Sequence, residues 1–190
     1  ALAGDNFAIP FMAPSLADAM TGATPLGLLK FSDDPVVTPV LNLLLGTTGG
    51  SLGETSAVLI LAGGIYLAIR GHLNWHIPVS ILLSVFVFSG IFYALGLSPF
   101  SPWFMLFSGG LMLGAWYMAT DMVTSPVTNR GCWVFGIGTG LLVVIIRIWG
   151  GLPEGVMYAI LLMNALVPFI NRATQPRKFG TVKNVAEKDE

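Results

Sequence analysis

The chain has 190 residues, 54% of them hydrophobic and only 10% charged, with a net charge of −1 and a mean hydropathy of +0.78. An average soluble domain carries about 25% charged residues, so this deficit excludes a disordered chain, a nucleic-acid binder built on basic patches and an ordinary cytosolic enzyme. The lone cysteine, Cys132, excludes a disulfide framework and a cysteine-cluster metal site.

The chain opens ALAGDNFAIPF, with no initiator methionine, basic stretch or apolar run, so it does not read as a signal peptide. Such a start ahead of a membrane domain points to a processed chain or to the later part of a longer one. Residues 1–34 are polar and punctuated by Gly and Pro. Within them, Asp18 to Leu26 reads DAMTGATPL. On composition this is a turn. Gly22 and Ala23 leave room for a close approach to the backbone, and successive free N–H groups there suit a phosphate. Next, Val36 to Leu45 is apolar but only about ten residues long, with Pro35 and Pro39 at its front. That is too short to span a bilayer and predicts a re-entrant or interfacial helix.

Five longer apolar stretches follow, at about Glu54–Arg70, Trp75–Gly96, Pro102–Thr120, Gly131–Trp149 and Pro153–Ile170. Each is long enough for a bilayer core of about 30 Å, which takes roughly 17–25 helical residues. Short links make neighbours antiparallel, so the expectation is an all-α membrane protein with about five transmembrane helices. The partition is an outer segment (1–53), a transmembrane bundle (54–171) and a basic tail (172–190).

Basic residues orient it. Arg70, Arg130, Arg172, Arg177, Lys178, Lys183 and Lys188 fall on one face, which leaves two of the nine cations, Lys30 and Arg147, for the other. By the positive-inside rule the tail is cytoplasmic and residues 1–54 are extracytoplasmic, the periplasmic face in a bacterium.

Several residues carry two readings each. Ser51 and Glu54 have the spacing of a capping box; Glu54 would otherwise be a cation- or cofactor-linked carboxylate. Asp121, at a helix C-terminus, wants a partner such as Arg130, or else lies near an ion or cofactor path. Ser125-Pro126 reads as an N-cap followed by Pro at N1, which supports a short helix or tight turn there. Arg147 is the charge inside a span; it would snorkel to the interface or pair with Glu154, with a phosphate or cofactor contact as the minor reading. His72 and His76 read as interfacial anchors beside Trp75. Gly63, Gly64, Gly109, Gly110, Gly136, Gly138 and Gly140 read as close helix packing.

Asp18-Ala19-Met20-Thr21-Gly22-Ala23-Thr24 resembles the flavinylation motif D-x-x-[ST]-G-A-T of the bacterial Rnf complex and of the related sodium-pumping NADH:quinone reductase. Further segments resemble the same family in order: Gly50 to Ser56 (GSLGETS), Ser108-Gly109-Gly110 with Met112, Ala119-Thr120-Asp121 with Thr124-Ser125-Pro126, Pro153-Glu154-Gly155, and Gln175 to Gly180. The T-S-P-V-T-N-R-G form and the short tail are most similar to the RnfD branch of that family. Met122 departs from the family, which has proline there.

The resemblance implies FMN joined through its phosphate to the hydroxyl of Thr24, with Asp18, Thr21, Gly22 and Ala23 as the sequence read by a flavin-attaching transferase. It implies a family architecture of ten spans, of which this chain supplies the flavin loop and the second five. It implies a membrane flavoprotein subunit of an ion-translocating ferredoxin:NAD+ oxidoreductase, partnered by the other subunits of the complex and by the lipid bilayer of the bacterial inner membrane. Riboflavin between the helices is a further implied cofactor, with no residue assigned. Two other readings stand beside it: the NqrB branch, which serves the sodium-pumping reductase, and a non-redox channel or transporter half.

Overall fold

The structure, a computed structural model, describes residues 24–31, 39–45 and 56–176. All the regular structure among them is helical. Asp18, Thr21, Gly22, Ala23, Ser51 and Glu54, and the tail from residue 177, lie outside the described residues.

In chain order the elements are α1 (Pro25–Phe31), α2 (Val40–Leu45), α3 (Ala57–Ile69), α4 (His76–Ala94), α5 (Pro102–Phe107), α6 (Leu111–Leu113) continuing into a π-helical turn (Gly114–Met118), α7 (Asn129–Trp149) and α8 (Val156–Thr174). Three of these, α4, α7 and α8, are long and apolar enough to cross a membrane. The five stretches expected from sequence therefore divide differently. The first holds only the 13 residues of α3, about 20 Å at 1.5 Å per residue. The third is not one helix: α5 ends at Phe107, and Ser108-Gly109-Gly110 breaks the path before α6. The short apolar stretch ahead of α3 forms α2, which buries Leu43.

Helix ends follow local chemistry. Ser56 caps α3 through Leu59 N, and Ser101 caps α5 through Phe104 N with Pro102 in the first turn. Thr128 caps α7 through Gly131 N, and Ser125-Pro126, read as a short helix or tight turn, lies at the turn that precedes it, where Ser125 N donates to Asp121 O. Each cap supplies an oxygen to an amide that lacks an intrahelical partner.

The central contact is α4 against α7. Ser80 Oγ donates to Ile77 O (2.8 Å) and Cys132 O (3.4 Å), and Ser84 Oγ to Ile81 O (2.9 Å) and Gly136 O (3.2 Å). The two serine–carbonyl registers advance together, so α4 and α7 run parallel. A Cβ on Gly136 or Gly140 would collide with Ser80 or Ser84; small residues let the backbones close, as membrane helices without a hydrophobic driving force require. Gly63 and Gly64 do the same for α3 against Tyr117 and Trp116. α8 returns antiparallel to α7: the hydroxyls of Thr128 and Thr174 meet at 2.6 Å, and Val127 N donates to Asn171 Oδ1 at 3.1 Å.

These contacts give the bundle two ends. One carries Arg70, Arg130 and Arg172, at the C-terminus of α3, the N-terminus of α7 and the C-terminus of α8. The other carries the C-terminus of α7 and, docked against it, α1. The core runs through Ile77, Ile81, Val85, Phe104, Met105, Phe135, Val143 and Met163, and includes Leu26 of α1. Outward-facing Leu161, Leu162, Leu166 and Phe169 of α8 are suited to lipid or to neighbouring apolar helices.

Candidate functional site: a closed helix break beside the Thr24 helix

Thr24 stands at the N-terminus of α1, and its Oγ1 accepts from Gly27 N at 3.2 Å. With Pro25 next, this is an N-cap followed by proline at the first helical position, where a missing N–H costs nothing. The hydroxyl is half-buried and donates to none of the described residues. The cap uses an oxygen lone pair and leaves the O–H bond uncommitted. An ester oxygen keeps that lone pair, so the site fits a phosphoester there without loss of the cap.

α1 is held by apolar packing, with Leu29 lying against the core beside Leu26, and by one polar clamp. Leu26 sits in the bundle core at 2% exposure. Lys30, in the last turn, brings its Nζ to the carbonyl oxygens of Ile146 (3.3 Å), Arg147 (2.9 Å), Gly150 (2.5 Å) and Leu152 (2.9 Å). These carbonyls belong to the C-terminal end of α7 and the residues after it, where a cation is favoured. Partial burial lowers the pKa of this ammonium from the usual lysine value. The four oxygens oppose that cost.

Arg147 reaches inward from the same end of α7. It is 1% exposed. Nη1 donates to Met105 O (2.5 Å), Nη2 to Ser108 O (2.9 Å) and Nε to Glu154 O (3.4 Å). This corrects the expectation of a snorkelling side chain. Met105 and Ser108 are at the end of α5, whose last carbonyls lose their helical partners where the chain breaks. On the far side of the break, Gly110 N donates to Glu154 Oε1. The guanidinium therefore meets the carbonyl end of one half-helix, and the carboxylate meets the amide end of the next. Each charge has the sign its helix end favours. Non-helical backbone at membrane depth is tolerated only where protein satisfies it in this way.

The break has glycine for a reason. Gly109 has φ +70°, and a Cβ there would lie 3.0 Å from Arg147 Nη2 and 3.3 Å from Glu154 Oε1. Gly109 and Gly110 thus serve the break itself and not the helix packing expected of them. Two buried polar atoms on the same interrupted helix, Ser108 Oγ and Trp116 Nε1, have no partner among the described residues. Just beyond the break the π-helical turn carries Trp116 and Tyr117, and Tyr117 Oη donates to Ile60 O on α3 at 3.2 Å.

Asp121 lies apart from all this, at the arginine-bearing end. Its Oδ2 accepts from Thr124 Oγ1 at 3.1 Å and its carbonyl from Ser125 N at 3.0 Å. The partner is thus Thr124 and not Arg130. His76 stacks on Trp75 at 4.0 Å, and its Nδ1 lies 2.7 Å from Asn74 Oδ1. The structure therefore brings Thr24 and Arg147 to one end and leaves Asp121 at the other. Sequence reading does not single out Lys30 as a site residue. Its one signal is to be the lone lysine among the acidic residues of the outer segment.

Residues 4–180 match the family described as "NQR2, RnfD, RnfE family". The chain is 44% identical over 179 residues to the D subunit of a proton-translocating ferredoxin:NAD(+) oxidoreductase complex of Clostridium ljungdahlii, a match covering 90% of this chain and 54% of that relative. It is 44% identical over 170 residues to the Na(+)-translocating counterpart of Acetobacterium woodii (88% and 52%). It is also 44% identical over 191 residues to the D subunit of an ion-translocating oxidoreductase complex of Stutzerimonas stutzeri (93% and 52%). The chain spans about half the length of these relatives.

Proposed function

Because this chain belongs to the NQR2, RnfD, RnfE family, we propose that it is the flavin-bearing half of a membrane subunit in an Rnf-type oxidoreductase complex. In this reading Thr24 carries FMN as a phosphoester, and Asp18, Thr21, Gly22 and Ala23 form the sequence recognised during attachment. The observation that carries the reading is Thr24 itself. It ends a D-x-x-T-G-A-T motif, and its hydroxyl is uncommitted among the described residues at the head of a helix clamped to the bundle.

Bound FMN would supply one- and two-electron chemistry; the protein supplies place and field. Thr24 holds the attachment point. Leu26 and Lys30 fix its helix. Arg147 supplies donors to Met105 O and Ser108 O, and Glu154 an acceptor to Gly110 N, on the two sides of the break. The gathering of Arg70, Arg130 and Arg172 at the far end favours a cytoplasmic side there and an extracytoplasmic side for Thr24. The chain would then relay electrons between partner subunits of an inner-membrane complex that couples ferredoxin and NAD+ chemistry to Na+ or H+ movement. Ferredoxin and NAD+ would bind other chains.

The test is the intact mass of the subunit, and its in-gel fluorescence, from a host that makes the attaching enzyme. The wild type should carry one FMN and Thr24→Ala none. A bare wild-type chain in material where a known flavinylated subunit is labelled overturns the assignment.

A further inference from the structure

We infer that Lys30 is the positioning residue that holds the group carried by Thr24 in a fixed relation to the buried break. The inference rests on the reading of Thr24 as the flavin-bearing residue. The ammonium of Lys30 converges on the carbonyls of Ile146, Arg147, Gly150 and Leu152, more acceptors than its three protons can serve at once. A clamp of this kind holds without demanding one rotamer.

The clamp joins two pieces of machinery. On one side, six residues of chain run from Lys30 back to Thr24, about 9 Å of helix. On the other side, one of the four carbonyls is that of Arg147, whose guanidinium holds Met105 O and Ser108 O at the end of α5. A shift of α1 would therefore pull on the residue that closes the break. Leu26, with Leu29 packed against the same core, resists withdrawal of α1, but apolar contacts are non-directional and permit small sliding and tilting. Lys30, in the last turn of α1, adds the directional contact that fixes that end.

Lys30 touches no reacting atom. Its role is exerted through the backbone of α1. The cost of losing it appears in electron transfer, because the rate depends on the distance and orientation of the carried group relative to its redox partners.

The experiment compares the wild type with Lys30→Gln and Lys30→Arg in the assembled complex. Three readouts are taken: intact mass, anisotropy of the bound-flavin fluorescence, and hydrogen exchange of the peptide covering α1 against peptides from α4 and α7. Lys30→Gln should keep its flavin, lose anisotropy, and exchange faster in α1 with α4 and α7 unchanged. Electron transfer through the complex should slow relative to the wild type. Lys30→Arg, which keeps the charge but presents a planar fork, should fall between the two. If Lys30→Gln does not accumulate, Lys30→Arg against wild type carries the comparison. Unchanged α1 exchange and anisotropy in the variant overturn the inference. An unflavinylated wild type would instead defeat the reading of Thr24, while the exchange comparison still decides whether Lys30 anchors α1.

Discussion

Arg147 Nη2 and the carbonyl oxygen of Ser108 lie 2.9 Å apart across 39 residues of sequence, and this contact closes the break between α5 and α6. Removing the guanidinium leaves Met105 O and Ser108 O without a donor in a site 1% exposed at Arg147. A buried acceptor left unsatisfied typically costs about 1–3 kcal/mol. Arg147→Met should therefore lower the melting temperature of the detergent-solubilised complex the most. Arg147→Lys, which keeps the charge but cannot reach both carbonyls as a fork, should fall between it and wild type. Equal melting of the two variants would show that the fork, and not the charge by itself, closes the break; an Arg147→Lys variant that melts like the wild type would show that only charge matters here.

Thr24 caps α1 and, in the proposed reading, also bears the flavin; substitution can separate the two. Asparagine caps helices as well as threonine does but offers no hydroxyl to esterify. Thr24→Asn should keep α1 in place, by hydrogen exchange, and carry no flavin by mass. Thr24→Ala should lose both the flavin and about 1 kcal/mol of cap. Thr24→Ser should keep both. A flavin-bearing Thr24→Asn chain would place the attachment elsewhere.

Much of this architecture is legible because membrane helices announce themselves by composition. The stretches that form α4, α7 and α8 can be read to within a few residues, since nothing but helix satisfies their backbone in lipid. The Gly-rich stripe of α7 is legible as close packing because only small residues permit it. The third stretch reads as continuous although it is broken. Its hydropathy runs on across Ser108-Gly109-Gly110, and the compensating charges come from Arg147 and Glu154, far along the chain. Arg147 misleads for the same reason: position along a helix says how far it lies from an interface, not what acceptors face it. Lys30 escapes notice because a lysine in a polar segment ordinarily faces water.

The α4–α7 seam should tolerate loss of a hydroxyl far better than gain of a methyl. Interhelical hydrogen bonds in membranes average only about 0.6 kcal/mol, and Ser84 Oγ also bonds within its own helix to Ile81 O. Ser84→Ala should thus melt within a few degrees of wild type. Gly140→Val would drive a side chain into Ser84 and force parallel helices apart along their length. It should reduce the yield of folded subunit sharply, as size-exclusion recovery would record. If Ser84→Ala in the same chain restores Gly140→Val, the hydroxyl is the obstacle; if not, the obstacle is the closeness of the helices themselves, since a Cβ at Gly140 also lies 2.9 Å from Ser84 Cβ and 3.1 Å from Ile81 O.

Gly71 and Gly109 share nearly the same backbone conformation, with φ +72° and +70°, but not the same surroundings. A Cβ on Gly71 would meet nothing within 4 Å, whereas one on Gly109 would lie 3.0 Å from Arg147 Nη2. Alanine at either costs the left-handed penalty of roughly 1–2 kcal/mol. At Gly109 it must also displace the guanidinium from Ser108 O, so Gly109→Ala should be the more damaging of the two. The excess should shrink when Arg147 is already methionine, because the displaced contact is then gone. A double-variant cycle on melting temperature reads this directly: Gly71→Ala should add to Arg147→Met, and Gly109→Ala should add less than its own cost. Full additivity at Gly109 would mean that its φ alone, and not its closeness to Arg147, makes glycine necessary at the break.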